Sequence, residues 1–230
     1  MSVSAVIVAA GNSKRMNDGV DKLAVELSGK PLLAWTISRF ESTEIIDEII
    51  VVTREDEVEK VKEMTKSEGF RKVSSVVKGG VYRQQSAQNG LDATSNDSKV
   101  VLVHDGARPL IRTSDIERIA ESAEENGAAL LAIPSKDSVK EVQNGIVKQT
   151  LPRESVWLAQ TPQGFRKELL QEAFSSAEKE GYIGTDEASL VERIGKEVAV
   201  VEGHSNNIKV TVSSDIRVVR SLLEGEEESV

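Results

Sequence analysis

An apolar strand that runs directly into a short basic loop is the feature that most constrains this chain. Residues 3–9 are apolar at nearly every position, as is typical of a parallel strand buried on both faces. Gly11 follows, and Lys14, Arg15 and Lys22 come soon after it. Backbone N–H groups and cations at the carboxyl end of a strand favour a polyphosphate ligand. The loop matches neither of the two common phosphate-binding glycine motifs, so a solvated basic loop is the alternative.

Composition limits the classes of function. The chain has 230 residues and 39% hydrophobic content, enough for a single domain over residues 1–230 with one sizeable core. Its net charge is −9, which argues against a nucleic-acid-binding surface. It has no cysteine, and this excludes disulfides, thiol nucleophiles and thiolate metal sites. No apolar run approaches the ~20 residues that span a bilayer, and the amino terminus lacks a signal-peptide pattern. We therefore expect a cytoplasmic protein with no membrane partner.

Strand-like runs alternate with helix-like stretches along most of the chain. Strands are expected at 47–53, 73–78, 99–104, 128–133, 157–160, 197–202 and 207–211, and helices at 54–69, from Gly80 to about 94, 114–126, 167–180, 185–194 and from about 214. This rhythm predicts an α/β fold with a Rossmann-like, mostly parallel sheet flanked by helices. Ligands bind beyond the carboxyl ends of the strands in such sheets.

The rhythm breaks at residues 135–151. Two short polar runs flank Asn144-Gly145, the residue pair preferred in a type I′ hairpin turn. This polar hairpin has little to bury against its own domain, and an isolated hairpin is only marginally stable in water. We therefore interpret residues 135–153 as a projecting β-hairpin arm that packs on a second subunit of a homodimer. A flap folded onto its own domain is the alternative.

The segment after the strand at 99–104 carries groups that suit a metal ion and phosphate. Asp105 stands at the strand end, where its carboxylate can hold Mg²⁺, an ion that uses one or two carboxylates and completes its shell with phosphate and water. A helix N-cap or a turn former is the alternative for this residue. Arg108 can bind a phosphate bidentately. We interpret His104 as a structural hydrogen-bonding residue.

Two further segments suggest binding roles. Gly79 and Gly80 allow the backbone to lie against a flat ring, and Ser86 can hydrogen-bond a base edge. The alternative is a plain turn with a solvated Arg83. Lys209 has apolar neighbours in its expected strand, which predicts an anionic partner, and a snorkelling edge lysine is the alternative.

Together these motifs resemble those of the 2-C-methyl-D-erythritol 4-phosphate cytidylyltransferases, a family within the wider nucleotidyltransferases. The matching segments occur in family order and cover nearly the whole chain. They are Ala9-Ala10-Gly11, Arg15-Met16, Lys22, Gly79-Gly80 with Arg83 and Ser86, His104-Asp105 with Ala107-Arg108-Pro109, Arg153, Thr161-Pro162-Gln163, Thr185-Asp186-Glu187-Ala188 and residues 207–211. The ordered set is far more specific than any one motif.

The resemblance implies that CMP passes from CTP to 2-C-methyl-D-erythritol 4-phosphate with release of pyrophosphate, in a homodimer whose arms embrace. It implies Arg15, Lys22, Arg153 and Lys209 as catalytic residues and Asp105 as the Mg²⁺ ligand. The implied CTP-binding residues are Ala9, Ala10, Gly11, Arg15, Lys22, Gly79, Gly80, Ser86, Asp105 and Ala107. The implied acceptor-binding residues are Arg108, Ser138, Arg153, Thr161 and Lys209, of which Ser138 and Arg153 would serve the neighbouring subunit.

Three positions depart from the commoner family pattern: Gly106 stands where alanine is usual, Asn206 where aspartate is frequent, and Val81 where a polar residue is common. A related cytidylyltransferase acting on ribitol 5-phosphate is one alternative, but the first loop and the late Thr185 motif favour methylerythritol phosphate. A catalytically silent nucleotide sensor is the other. The retained cations and the metal carboxylate argue against it.

Overall fold

The computed structural model describes residues 2–11 and 22–227. Its strands are β1 (Val3–Val8), β2 (Glu26–Leu27), β3 (Lys30–Pro31), β4 (Glu48–Thr53), β5 (Val73–Lys78), β6 (Val100–Asp105), β7 (Ala128–Pro134), β8 (Lys140–Gln143), β9 (Ile146–Thr150), β10 (Trp157–Arg166) and β11 (Ala199–Glu202). Its helices are α1 (Leu32–Glu41), α2 (Val58–Ser67), α3 (Arg83–Asp92), α4 (Thr113–Asn126), α5 (Lys167–Glu180), α6 (Glu187–Arg193) and α7 (Ser213–Glu227). Short 3-10 turns lie at Lys22–Ala24, Glu55–Glu57 and Arg153–Ser155.

Seven strands form one sheet in the order β11-β7-β10-β6-β1-β4-β5. β10 runs antiparallel to both of its neighbours, and the other pairs in this sheet are parallel. The mostly parallel α/β sheet expected from the sequence is therefore confirmed. β1 lies between β4 and β6, so its carboxyl end opens into the middle of one sheet edge.

Helices cover both faces of the sheet, because successive side chains of the buried strands point to opposite sides. Val3, Ala5 and Ile7 of β1 pack with α1, α4 and α7, whereas Val6 packs with α3, α5 and α6. α1 is absent from the expected helices, although its apolar residues recur at helical spacing. None of the described helices is both long and apolar enough to cross a membrane.

Residues 207–211 form a coil, so the strand expected there is wrong. The segment is fixed by individual hydrogen bonds and not by a sheet ladder. The N–H of Val210 donates to the carbonyl of Ala107 at 2.8 Å, and Nδ2 of Asn207 donates to the carbonyl of Thr161 at 2.9 Å. The segment thus lies against the loop after β6, where Lys209 reaches the strand end.

The hairpin predicted at Asn144-Gly145 is present as β8 and β9. Asn144 has φ 53° and Gly145 has φ 78°, the two positive values that a type I′ turn requires. Val142, Ile146 and Val147 are exposed on this hairpin. An exposed apolar surface of this kind on an arm suits contact with another protein surface.

Candidate active site

The carboxyl ends of β1, β5 and β6 meet at one edge of the sheet and frame a cleft of about 470 Å³, within the range of about 300–1,000 Å³ for small-molecule sites. Most of the residues implied for CTP binding line it: Ala9, Ala10, Gly11, Gly79, Gly80, Ser86, Asp105 and Ala107. Lys209, implied for catalysis and acceptor binding, lines it as well. Arg108 and Thr161 line an adjoining recess that shares Asp105 and Lys209 with the cleft. Three strand ends therefore bring together segments far apart in the sequence.

Backbone without side chains forms one wall of the cleft. A Cβ on Gly79 would collide with the Ala10 side chain and lie 2.7 Å from Oγ of Ser86, so only glycine fits there. The hydroxyl of Ser86 accepts a hydrogen bond of 3.0 Å from the N–H of Gly80 and donates one of 3.1 Å to the carbonyl of Tyr82. Ser86 therefore shapes the glycine loop, while its contact with a base remains a prediction.

The Asp105 carboxylate forms the charged floor of the cleft and is surrounded by cations. Oδ1 accepts a hydrogen bond from Nε of Arg83 at 3.2 Å. Oδ2 lies 2.8 Å from Nζ of Lys209 and 3.6 Å from Nε of Arg108. Burial acts to raise the pKa of Asp105, but attraction to these three cations outweighs it, and the pKa lies well below the usual value. The carboxylate is therefore ionised at neutral pH.

A neutral histidine, His104, is linked to the backbone of Asp105 through the hydroxyl of Thr161. Nε2 of His104 lies 3.2 Å from the carbonyl oxygen of Arg108, which can only accept, so this nitrogen carries the proton. Nδ1 lies 3.1 Å from Oγ1 of Thr161, and the same oxygen accepts from the N–H of Asp105 at 3.0 Å. Burial lowers the pKa of His104 to about 3. The structural role expected for His104 agrees with these contacts.

Arg83 and Glu187 are site residues whose link the sequence analysis missed. Nη1 of Arg83 donates to both carboxylate oxygens of Glu187 at 2.8 Å, so the alternative of a solvated Arg83 is wrong. Burial acts to lower the pKa of Arg83, but attraction to Glu187 and Asp105 outweighs this effect, and the pKa lies above its usual value. Both residues stand in segments singled out from the sequence, but no local signal pairs them.

Four implied residues are not among the residues that line the cleft or the recess, two of them because the structure does not describe their side chains. Arg15 lies outside the described residues, as does the side chain of Lys22, whose backbone begins a 3-10 turn. Ser138 and Arg153 are exposed near the base of the hairpin and line neither the cleft nor the recess. Nη1 of Arg153 donates to the carbonyl of Lys136 at 3.3 Å.

One carboxylate could hold a divalent cation in the cleft. The described residues contain no cluster of three or more histidine, cysteine or acidic groups suited to a metal. Mg²⁺ needs only one or two carboxylates when phosphate and water supply its other ligands. The Asp105 carboxylate offers about four acceptor positions, of which Arg83 and Lys209 occupy two. Its donor chemistry therefore fits Mg²⁺ bound together with a phosphate ligand.

A larger groove of about 740 Å³ lies at the opposite edge of the sheet, near the start of β6. Two of its cations, Arg166 and Lys167, bind backbone carbonyl groups. Arg166 donates to the carbonyl of Glu124 at 2.6 Å, and Lys167 donates to the carbonyl of Ser95 at 2.9 Å. This groove is a poorer candidate, because ligands of such sheets bind at the carboxyl edge.

Known proteins are similar to this chain over nearly its whole length. The family profile described as 2-C-methyl-D-erythritol 4-phosphate cytidylyltransferase matches residues 3–225. The protein of that name from Geotalea uraniireducens is 46% identical, with 97% of both chains covered. The one from Bacillus licheniformis is 43% identical, covering 98% of this chain and 97% of its own.

Solved structures agree as well. The 4-diphosphocytidyl-2C-methyl-D-erythritol synthase of Anaerococcus prevotii superposes with a TM-score of 0.86 at 30% identity, covering 97% of this chain and 98% of its own. The 2-C-methyl-D-erythritol 4-phosphate cytidylyltransferase of Thermus thermophilus gives 0.78 at 32% identity, covering 96% and 98%. The chain therefore belongs to the 2-C-methyl-D-erythritol 4-phosphate cytidylyltransferase family.

Proposed function

We propose that this protein transfers CMP from CTP to 2-C-methyl-D-erythritol 4-phosphate, a step in the synthesis of isoprenoid precursors. An oxygen of the acceptor phosphate attacks the α-phosphorus of CTP. The bond from that phosphorus to the oxygen bridging the β-phosphate breaks, and pyrophosphate leaves. The products are 4-diphosphocytidyl-2-C-methyl-D-erythritol and pyrophosphate, so atoms and charge balance without an oxidant or a further reactant.

One observation carries this proposal: a half-exposed lysine forms an ion pair with a buried aspartate, and glycine residues line the cleft beside them. Lys209 and Asp105 are 2.8 Å apart in the cleft that Gly79 and Gly80 line. Cations stabilise the charge that develops on a transferring phosphoryl group, and a bare backbone accommodates a flat base. The family match over residues 3–225 supports CTP and methylerythritol phosphate as the particular substrates.

The reaction makes few demands on acid–base chemistry. A phosphate monoester is already ionised near neutral pH, so its attacking oxygen needs no protein base. Catalysis then consists of holding two anions in line and neutralising their charge. Lys209 suits this role, with Arg15 and Lys22 as further cations from the first loop and Arg108 and Thr161 facing the acceptor. His104 is buried and neutral, which agrees with a reaction that needs no protein acid or base.

The proposed reaction requires a divalent cation. Mg²⁺ bound to Asp105 would neutralise phosphate charge at the reacting centre. The hydrogen bond from Nε of Arg83 to Oδ1 of Asp105 supports this assignment, because it leaves Oδ2 on the side of Lys209 and the cleft. Lys209 would share the carboxylate or turn toward a phosphate oxygen once the substrate enters.

We also propose a cytoplasmic homodimer. The exposed Ile146 and Val147 on the hairpin suit burial against a second subunit. Ser138 and Arg153 near its base would then reach the neighbouring subunit's acceptor site. The chain has no cysteine, so no part of it depends on an oxidising compartment.

The test of function is pyrophosphate release with Mg²⁺ and CTP. Methylerythritol 4-phosphate and ribitol 5-phosphate are offered in parallel, and each is repeated with ATP, GTP and UTP. We expect release with CTP and methylerythritol 4-phosphate only. Release confined to ribitol 5-phosphate would reassign the acceptor, and CTP binding without any release would favour a nucleotide sensor.

A further inference from the structure

A buried glutamate that lines neither the cleft nor the recess is linked to Asp105 through one arginine. Glu187 is 1% exposed, and both of its carboxylate oxygens accept hydrogen bonds from Nη1 of Arg83. Nε of the same guanidinium donates to Oδ1 of Asp105. We propose that Glu187 and Arg83 are positioning residues that fix the Asp105 carboxylate for nucleotidyl transfer, an inference that rests on the function proposed above.

The carboxylate of Glu187 is itself held at a fixed place. Asp186 caps α6 by accepting a hydrogen bond of 3.0 Å from the N–H of Ser189. Gln163 of β10 donates to Asp186 at 2.8 Å and accepts from the N–H of Ala188 at 3.0 Å. The first turn of α6 is therefore tied to the central sheet on both sides of Glu187. Burial raises the pKa of Glu187, and the attraction to Arg83 opposes this shift, so the carboxylate depends on Arg83 to stay ionised.

The arginine end of the link is equally constrained. Arg83 begins α3, and the next residue, Gln84, ties α3 to the segment that leads into α6. Gln84 accepts from the N–H of Gly184 at 2.9 Å and donates to the carbonyl of Tyr182 at 3.2 Å. Nη2 of Arg83 is buried without a hydrogen-bond partner in the described structure. The orientation of the guanidinium therefore depends on its bonds to Glu187 and Asp105.

Charge gives Glu187 a second effect. Asp105 faces the three cations Arg83, Arg108 and Lys209. Because Glu187 binds one of these cations through Nη1 of Arg83, Arg83 is not drawn toward a phosphate group. Lys209, on the open side of Asp105, is left to meet the substrate. Loss of the Glu187 charge would release Arg83 from its place and allow the Asp105 carboxylate to rotate.

Glu187→Gln is the direct test, because glutamine keeps the shape and one acceptor oxygen but removes the charge. We expect kcat/KM for CTP to fall by about 10- to 100-fold, the usual effect of losing a partner that orients a metal-binding group. The KM for the acceptor should remain within about twofold, because the change lies on the nucleotide side. A merely structural role would lower Tm and leave kcat/KM of the folded enzyme unchanged.

Asp115→Asn is the matched control. Asp115 is also a buried carboxylate in the first turn of a helix and is paired with an arginine, Arg118. It belongs to α4, which contributes no residue to the lining of the cleft. This variant should lose thermal stability in the manner of Glu187→Gln while keeping the wild-type kcat/KM.

A double-mutant cycle tests whether Glu187 acts through Arg83. Arg83→Met alone should lower kcat/KM, and Glu187→Met added to it should change kcat/KM by less than about twofold, because the link is already broken. Independent, multiplying effects would overturn the proposal. So would wild-type kcat/KM in Glu187→Gln.

A binding measurement separates this proposal from the proposed function. Mn²⁺ is titrated into the enzyme with a non-hydrolysable CTP analogue and followed by electron paramagnetic resonance. Glu187→Gln should weaken Mn²⁺ binding about tenfold, whether or not the enzyme turns over. Absence of wild-type turnover would contradict the proposed function, whereas an active wild type with unchanged Mn²⁺ affinity in Glu187→Gln would contradict the positioning role alone.

Discussion

Nζ of Lys209 lies 2.8 Å from Oδ2 of Asp105 and joins the coil after β11 to the end of β6. The lysine side chain is 35% exposed and the aspartate side chain 9%, so the ammonium group faces the cleft and the carboxylate lies beneath it. The pair orients the lysine before any substrate enters. Preorganised charge of this kind stabilises a transition state without reorganisation at the moment of reaction.

Removing the lysine should therefore affect catalysis more than folding. We expect Lys209→Ala to lower kcat by about 10²- to 10³-fold, as for the loss of one preorganised charge. Steady-state kinetics and a thermal melt on the same preparation check this result. Lys60→Ala is the control, because Lys60 is an exposed lysine of α2 that pairs with Glu57 in the preceding 3-10 turn. A wild-type kcat in Lys209→Ala would refute the role.

Asp105→Asn tests the metal assignment. Asparagine keeps the shape of the side chain but removes the charge that Mg²⁺ and the surrounding cations need. We expect kcat to fall by about 10²-fold or more and the half-saturating Mg²⁺ concentration to rise. Asp97→Asn, in the exposed loop before β6, should behave as wild type in the same Mg²⁺ titration. An unchanged Mg²⁺ requirement in Asp105→Asn would remove Asp105 as the ligand.

Features governed by local chemistry could be predicted from the sequence. Asn144-Gly145 specifies its turn, because both residues must adopt positive φ. The alternating strands and helices predict a parallel sheet, and a parallel sheet places its ligand at the carboxyl edge. Gly79, Asp105 and Ala107 follow strand ends and are therefore expected at that edge, where they line one cleft.

Features that depend on distant contacts could not be predicted in the same way. The apolar neighbours of Lys209 predicted an anionic partner, but only the folded coil identifies that partner as Asp105. Ile208 and Val210 suit a strand, so the sequence predicts one there. In the structure the N–H of Ile208 donates to Asn206 within the same loop, and that of Val210 donates to Ala107 in the loop after β6. The pairing of Arg83 with Glu187 likewise joins two helix starts that no sequence spacing relates.

The buried His104 predicts a pH dependence of stability. Its pKa is lowered to about 3 in the folded protein, against about 6.5 in an unfolded chain. As pH falls below about 6.5, the unfolded chain binds a proton that the folded protein does not. Stability should therefore fall from pH 7 to pH 5 by about 2 kcal/mol through this residue.

Urea unfolding of wild type and His104→Gln at both pH values checks this expectation. The variant should be less stable at pH 7, because it loses one of the hydrogen bonds to Thr161 and Arg108, yet it should lose less stability on going to pH 5. The neighbouring charges of Asp105, Arg108 and Lys209 are the same in both proteins, so their effects largely cancel in the comparison. Equal losses in the two proteins would show that His104 is not the group responsible.

The proposed dimer can be tested on the hairpin without touching the cleft. Ile146 is 73% exposed at the start of β9, and Ile146→Asp would bring a charge into any apolar interface there. We expect sedimentation velocity to report a dimer for wild type and a monomer for the variant. Val218→Asp, at a 48% exposed position on α7, should remain dimeric.

Activity measurements test whether the arm contributes to the acceptor site. If Arg153 of one subunit serves the neighbour's site, the Ile146→Asp monomer should show a raised KM for methylerythritol 4-phosphate, as should Arg153→Ala in an intact dimer. The KM for CTP should change little in both, because the cleft that binds it is built from the strand ends of one chain. A monomeric variant with the wild-type KM for methylerythritol 4-phosphate would contradict this role. It would show that Arg153 of a neighbouring subunit is not needed to bind the acceptor.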